Sequence, residues 1–102
     1  MLNELRDEIY DDAVKHGLWD CLEIVEAGDV GDAIKRLYCS RLVSDELTEA
    51  IKAVHEPEHY IEELADVIIM SLSVAGYLGI DIDKAVRTKM EINRGREWRH
   101  GK

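Results

Sequence analysis

An uninterrupted run of fourteen uncharged residues, Val67 to Ile80, constrains the fold of this chain more than any other feature. A helix over this run is apolar nearly all round, and such a helix needs cover on most sides. The run is too short to span a bilayer, which needs about 20 apolar residues. We therefore expect a helix that other helices cover, in a protein without membrane contact.

Four short helices in a chain of 102 residues can hardly bury such a helix completely. We therefore predict a homo-oligomer in which the uncharged helix lies near the interface. The alternative is a monomer with this helix at its centre.

The spacing of apolar residues predicts helices in the first half of the chain. A first helix is expected over residues 2–15, ending near Gly17, and a short helix over residues 18–27. Asp29 is expected to cap a second helix that runs to about Val54.

The second half of the chain predicts two further helices. The segment His55-Glu56-Pro57 should break the chain, since proline disfavours helix at the residue before it. A third helix is expected from about Glu58 to near Gly79. Asp81 should cap a fourth, which continues to about Asn93. No Asn-Gly or Asp-Gly turn separates two alternating apolar runs, so strands are not expected. The prediction is an all-α fold, a four-helix bundle.

Charge and cysteine content narrow the classes of function. The net charge is −9, which argues against nucleic-acid binding because a polyanion would be repelled. Residues 1–83 carry 20 acidic and 6 basic side chains, whereas residues 84–102 carry 7 basic and 2 acidic ones. This division suits a metal cation at one place and phosphate oxygens at another, although both could be ordinary solvated faces.

Length and the start of the chain suggest a small intracellular protein. Residues 1–102 fit one compact domain. Cys21 and Cys39 form no CxxC pair, so a zinc site or a disulfide framework is not expected. The first residues carry no apolar signal core, and we expect a cytoplasmic location.

Two pairs of carboxylates carry the clearest chemical signal. Glu46 and Glu49 are three residues apart, as are Glu63 and Asp66, and this spacing places each pair on one helix face. Pairs on neighbouring helices could converge on one cation, and oxygen ligands favour Mg²⁺ or Mn²⁺. Asp66 immediately precedes the uncharged run and should be at least partly buried. The alternative is that all four are surface residues.

Lys89 and Asn93 are four residues apart on the fourth helix and share a face. A lysine, an amide and the arginines that follow could bind phosphate oxygens. The alternative is a solubilising basic terminus. The basic residues of the tail are Arg94, Arg96, Arg99, His100 and Lys102.

These residues together resemble a known family. Glu46-Leu47-Thr48-Glu49, followed after thirteen residues by Glu63-Leu64-Ala65-Asp66, resembles the ExxE…ExxD signature of the all-α nucleoside triphosphate pyrophosphatases, specifically the MazG-like branch. The segment from Gly79 to the end, with Lys89 and Asn93, is similar to the C-terminal segment of short MazG-like proteins from bacteria and phages. The resemblance covers about residues 42–102.

The resemblance implies a helical core that assembles as a dimer or a tetramer. It implies hydrolysis of a nucleoside triphosphate to a monophosphate and pyrophosphate, as in cleaning of the nucleotide pool, with Mg²⁺ as cofactor and Mn²⁺ as a substitute. Either Glu46 or Glu49 would act as the general base. By the same resemblance, the metal ligands would be Glu46, Glu49, Glu63 and Asp66, and the substrate contacts Lys89, Asn93 and, more weakly, Arg96.

Three other features stay open as alternatives. Trp19 could stack on a nucleotide base or could simply be a packing residue. The Glu-x-x-His spacing of Glu56–His59 and Glu97–His100 occurs in di-iron bundles, but the first straddles the proline break and the second lies in the tail. A non-catalytic helical oligomerisation module, or a nucleotide sensor without turnover, would keep the same fold.

Overall fold

The chain folds into four α-helices in the computed structural model, which describes residues 1–26 and 28–96. Within this part there is no strand, and one 3₁₀ turn lies between the first two helices. The predicted all-α fold is therefore confirmed. The helices are α1 (Leu2–Lys15), α2 (Asp29–Lys52), α3 (Pro57–Leu78) and α4 (Ile82–Arg94), and the 3₁₀ turn covers Asp20–Leu22.

Helix α3, which contains the uncharged run, is the central element. Both α1 and α2 pack against it, and the principal contact of α4 is with α1. Helix α1 runs antiparallel to α3, since Arg6 contacts Ile80 and Tyr10 contacts Gly76. Over the described residues, no single helix is long and apolar enough to cross a membrane; α3 and α4 reach that composition only as a pair, bent by 114°.

The boundaries of α3 and α4 follow from local chemistry, as the sequence predicts. Pro57 occupies the first turn of α3, where its missing N–H costs nothing. Gly79 ends the helix with φ at 67°, a left-handed conformation that glycine adopts without strain. Asp81 caps α4 by accepting a hydrogen bond of 3.1 Å from the backbone N–H of Lys84.

Two local predictions in the first third of the chain are wrong. Gly28, and not Asp29, occupies the N-cap position of α2, and Asp29 is the first helical residue. The negative charge of its carboxylate lies in the first turn, where it interacts favourably with the helix dipole. The short helix expected over residues 18–27 is reduced to the turn Asp20–Leu22, because Trp19 and Leu22 both turn into the core. Ala27 lies outside the described residues.

The N-termini of α1 and α4 cap each other. The Asp83 carboxylate of α4 accepts from the backbone N–H groups of Leu2, at 2.8 Å, and Asn3, at 3.3 Å. In return, Asn3 Oδ1 accepts from the backbone N–H groups of Ile82, at 2.9 Å, and Asp83, at 3.3 Å. These bonds satisfy N–H groups that a helix leaves without internal partners, and they fix α4 against α1.

Trp19 is a core residue. Its ring stacks on Tyr77 with centroids 4.3 Å apart, and its Nε1–H donates to Ser73 Oγ at 3.2 Å. The side chain is 4% exposed and forms the main buried cluster with Leu22 and Cys39. Trp19 therefore fills the packing role that was the alternative to base stacking.

A large part of the apolar surface of α2 and α3 remains uncovered in the single chain. Ile51 is 61% exposed, Ile61 65% and Ile68 54%. Helix α3 is thus central, and yet its solvent-facing side is apolar. The exposed side chains favour the predicted homo-oligomer, which stays a prediction.

Candidate metal centre

Three of the four predicted carboxylates converge between α2 and α3. The two helices are joined by residues 53–56 and pack side by side, so Glu46 comes to lie opposite Glu63 and Asp66. One carboxylate oxygen from each of these three residues lies within 4.8 Å of the other two. The structure therefore brings together the residues that the spacing on two separate helices predicts.

Two of the three charges of this cluster, those of Glu46 and Asp66, are not balanced by a neighbouring cation of the described residues. Glu46 and Glu63 are half-buried, and burial raises the pKa of Glu46, with the charges of Asp66 and Glu63 adding to the effect. Among the described residues, no basic side chain forms an ion pair with Glu46 or Asp66, and Glu63 pairs with His59. Converging carboxylates repel each other unless a cation lies between them, and three oxygen donors fit a hard divalent cation.

Asp66 is exposed in the single chain, so its expected burial is wrong at this level of assembly. The cause is the uncovered side of α3: Ile68 and Ile69 are 54% and 46% exposed. The uncharged run indicates that the helix next to Asp66 must be covered by other helices. It does not indicate whether these helices belong to the same chain.

Glu49 is not part of the cluster. Its side chain is 54% exposed and pairs with Lys52 at 3.5 Å. Such surface pairs contribute little to stability, so this contact does not hold Glu49 away from the cluster. Its role as a fourth ligand stays a prediction.

His59 is a partner of the cluster that the sequence pattern did not assign. Its Nε2 lies 3.0 Å from Glu63 Oε1, and its Nδ1 lies 3.5 Å from Glu56 Oε2. The hydrogen bond with Glu63, followed by that with Glu56, raises the pKa of His59 above its usual value. The signal was present in the sequence, since Glu63 follows His59 by four residues and therefore shares its helix face.

The predicted phosphate contacts lie on, or just after, a helix that contributes no residue to the cluster. Lys89, Asn93 and Arg96 belong to α4 and the residues after it, and α4 packs principally against α1. Lys89 and Arg96 are exposed, while Asn93 Oδ1 is buried without a hydrogen-bond partner among the described residues. Their substrate contacts stay predictions. The further tail residues Arg99, His100 and Lys102, and the Glu97–His100 spacing, lie outside the described residues.

A cavity of about 300 Å³ opens between α1 and α3. Ile69, Met70 and Ser73 line it from α3, and their spacing from Asp66 is three, four and seven residues. They therefore share the Asp66 face of the helix. The lining from the other side is Ile9, Asp12, Ala13, His16 and Leu18. The sequence could not locate this cavity because it depends on how α1 crosses α3.

The comparisons with known proteins identify the family of this chain. The family model of the MazG-like family matches residues 34–101, which include both carboxylate pairs, Lys89 and Asn93. The chain belongs to the MazG-like family. The family resemblance read from the carboxylate spacing is thereby confirmed.

One named relative of this MazG-like chain is a dATP/dGTP diphosphohydrolase of Cyanophage S-2L. The two are 50% identical over 36 residues, which is 35% of this chain and 34% of the relative. The MazG-like chain thus spans about a third of the length of the curated relative it matches. No solved structure matches the chain at a significant level.

Proposed function

We propose that this chain is a Mg²⁺-dependent nucleoside triphosphate pyrophosphohydrolase, in which water cleaves the triphosphate to a nucleoside monophosphate and pyrophosphate. The observation that carries the proposal is the convergence of Glu46, Glu63 and Asp66 within 4.8 Å, without a basic residue of the described chain paired to Glu46 or Asp66. Membership of the MazG-like family supports the same reaction class.

The proposed metal ligands are Glu46, Glu63 and Asp66, with Glu49 as a fourth carboxylate that exchanges its surface contact with Lys52 for the cation. Mn²⁺ has the same preference for oxygen ligands and would substitute. A bound Mg²⁺ neutralises negative charge on the phosphate oxygens and makes water a better nucleophile.

The chain's own residues would bind the substrate and move the proton. One α2 carboxylate, Glu46 or Glu49, accepts the proton of the attacking water. Lys89 and Asn93 bind phosphate oxygens that the cation leaves unscreened, and Arg96 is a weaker candidate for the same contact. Asn93 would make this contact through its Nδ2–H group, since phosphate oxygens accept hydrogen bonds; its buried Oδ1, which has no partner among the described residues, is itself an acceptor and needs a different partner.

The cavity between α1 and α3 is the proposed site for the base. It lies on the Asp66 face of α3, so a nucleotide that extends along this face would place its triphosphate towards the carboxylates. A volume of about 300 Å³ is at the lower end of ligand pockets and suits one planar base. The name of the phage relative suggests dATP and dGTP as the first substrates to test.

The test is pyrophosphate release from eight ribo- and deoxynucleoside triphosphates, with Mg²⁺ and with a chelator. We expect release from at least one of them with Mg²⁺, and none with the chelator. If folded protein that binds Mn²⁺ released no pyrophosphate from any of the eight nucleotides, the result would contradict the proposed reaction. It would favour a non-catalytic or sensing module.

A further inference from the structure

We propose that His59 is a positioning residue for the metal-binding carboxylate of Glu63, and that Glu56 holds the imidazole in place. The inference rests on the proposed function, since it assigns a second layer of residues to the same metal centre. It also gives a role to the Glu56–His59 spacing, which the proposed reaction does not use.

The contacts form a chain of three side chains from the N-cap residue Glu56 through the first two turns of α3. His59 Nε2 lies 3.0 Å from Glu63 Oε1, and His59 Nδ1 lies 3.5 Å from Glu56 Oε2. A carboxylate only accepts hydrogen bonds, so Nε2 carries the hydrogen that Glu63 Oε1 accepts, and in the imidazolium form Nδ1 carries a second hydrogen that faces Glu56. The imidazole thus occupies one oxygen of Glu63 and leaves Oε2 for the cation.

Glu63 is the cluster member for which such a partner matters most. Its flexible side chain would lose rotamer freedom on binding a cation, and this loss opposes binding. Among the described residues, neither Glu46 nor Asp66 has a side-chain partner, so His59 provides the contact that restrains the cluster before metal binding. Residues that orient metal ligands in this way affect metal affinity by about 10- to 100-fold.

The alternative is an ordinary pair of residues on a helix surface. His59 is 50% exposed, and side-chain pairs at positions i and i+4 stabilise a helix only slightly. Such a pair would change the melting temperature slightly and would leave the metal affinity unchanged. The two roles therefore differ in a quantity that can be measured without nucleotide.

The experiment is Mn²⁺ titration calorimetry of the full chain and its variants, in the absence of substrate. We expect His59→Ala to weaken Mn²⁺ binding by about 10-fold or more. His59→Gln should restore most of the affinity, because its amide nitrogen can donate to Glu63 from a similar position. His55→Ala is the matched control: it removes an exposed histidine four residues earlier, and should leave binding unchanged.

A second readout separates positioning from general damage. In Mg²⁺-dependent turnover, His59→Ala should require more Mg²⁺ for half-maximal rate and recover most of its kcat at saturating Mg²⁺. Native Mn²⁺ affinity in His59→Ala would overturn the proposal, as would the absence of Mn²⁺ binding by the native protein. Mn²⁺ binding that depends on His59, in a protein that releases no pyrophosphate, would refute the proposed reaction and leave the positioning role standing.

Discussion

Asp83 binds the first turn of α1 through its carboxylate. The hydrogen bond with the Met1 ammonium group, followed by that with the Leu2 N–H, lowers the pKa of Asp83 to about 2. An aspartate in an unfolded chain has a pKa of about 3.9. The ionised form is therefore favoured by folding, and its contribution to stability is present above about pH 4 and is lost as the pH falls towards 2.

At the same residue scale, Asp83→Asn should lower the melting temperature at pH 7, because the neutral amide replaces the ionised acceptor at the N-terminus of α1. The difference from the native protein should shrink as the pH falls from 4 to 2. Thermal melts followed by circular dichroism check both points. Asp11→Asn, a change of the same charge at an exposed position of α1, is the control. A difference that stays constant from pH 7 to pH 2 would contradict this account.

The three carboxylates of the cluster could be predicted from the sequence, because spacings of three residues on two adjacent helices fix which faces they occupy. Glu49 shares that spacing but lies outside the cluster, because the spacing alone does not determine the direction of a side chain that is 54% exposed. The exposure of Asp66 could not be predicted either, because it depends on what covers α3.

At the scale of helices, α1 and α3 approach closely at Gly76. A Cβ atom at this position would lie 2.5 Å from Tyr10 Cβ, so the two helices would have to separate. In Gly76→Ala, the steric conflict should therefore cost about 1–3 kcal/mol. A gain in helix propensity of about 1 kcal/mol offsets part of this cost, so we expect a net loss of stability.

Urea unfolding measures this change directly. Gly95→Ala is the control, because a Cβ atom at Gly95 would make only ordinary contacts, the nearest at 3.7 Å; its effect should stay within about 0.5 kcal/mol. A Gly76→Ala variant that is more stable than the native protein would show that α1 and α3 are not packed as described.

The cavity between α1 and α3 distinguishes two adjacent isoleucines of α3. Ile69 lines the cavity and Ile68 does not, although the two are adjacent and similarly exposed at 46% and 54%. Ile69→Trp should fill the proposed base site and raise the KM for the nucleotide by about tenfold, equivalent to about 1.4 kcal/mol. Ile68→Trp should not.

Steady-state kinetics give the KM of both variants. The Mn²⁺ affinity of each variant checks that the metal centre is intact. Equal KM values for Ile69→Trp and the native protein would show that the base does not bind in this cavity. An equal rise in both variants would point to a general disturbance of α3.

The helices themselves could be predicted well where single residues determine their ends. Pro57, Gly79 and Asp81 each impose a backbone conformation or supply a cap, and the boundaries of α3 and α4 follow. The segment after α1 could not be predicted in this way, because the burial of Trp19 and Leu22 there is a tertiary effect. The reciprocal caps between Asn3 and Asp83 are likewise invisible before the helices meet.

At the scale of the whole molecule, the exposed apolar side chains of α2 and α3 predict self-association. Leu47, Ile51 and Val54 share one face of α2, and Ile61, Leu64 and Ile68 share one face of α3, all 43–65% exposed. Surfaces of this kind mark interaction sites, and a second copy of the chain is the occupant that the family resemblance implies.

Light scattering after size-exclusion chromatography should therefore give two or four times the subunit mass of 11.7 kDa. Ile61→Lys should shift the protein towards the monomer, since it places a charge in the apolar surface. Ile24→Lys, at a position 88% exposed outside the four helices, should have no effect. A monomer at micromolar concentration would contradict the predicted assembly.

The carboxylates of α2 and α3 are the proposed metal centre of a pyrophosphohydrolase. The decisive measurement is Mg²⁺-dependent pyrophosphate release by Asp66→Asn, compared with Asp45→Asn. Both variants lose one exposed negative charge, but only Asp66 lies in the cluster. We expect Asp66→Asn to lose activity by about 100-fold or more with its helices intact, and Asp45→Asn to retain it. Full activity of Asp66→Asn, or an equal loss in both variants, would contradict the proposed metal centre.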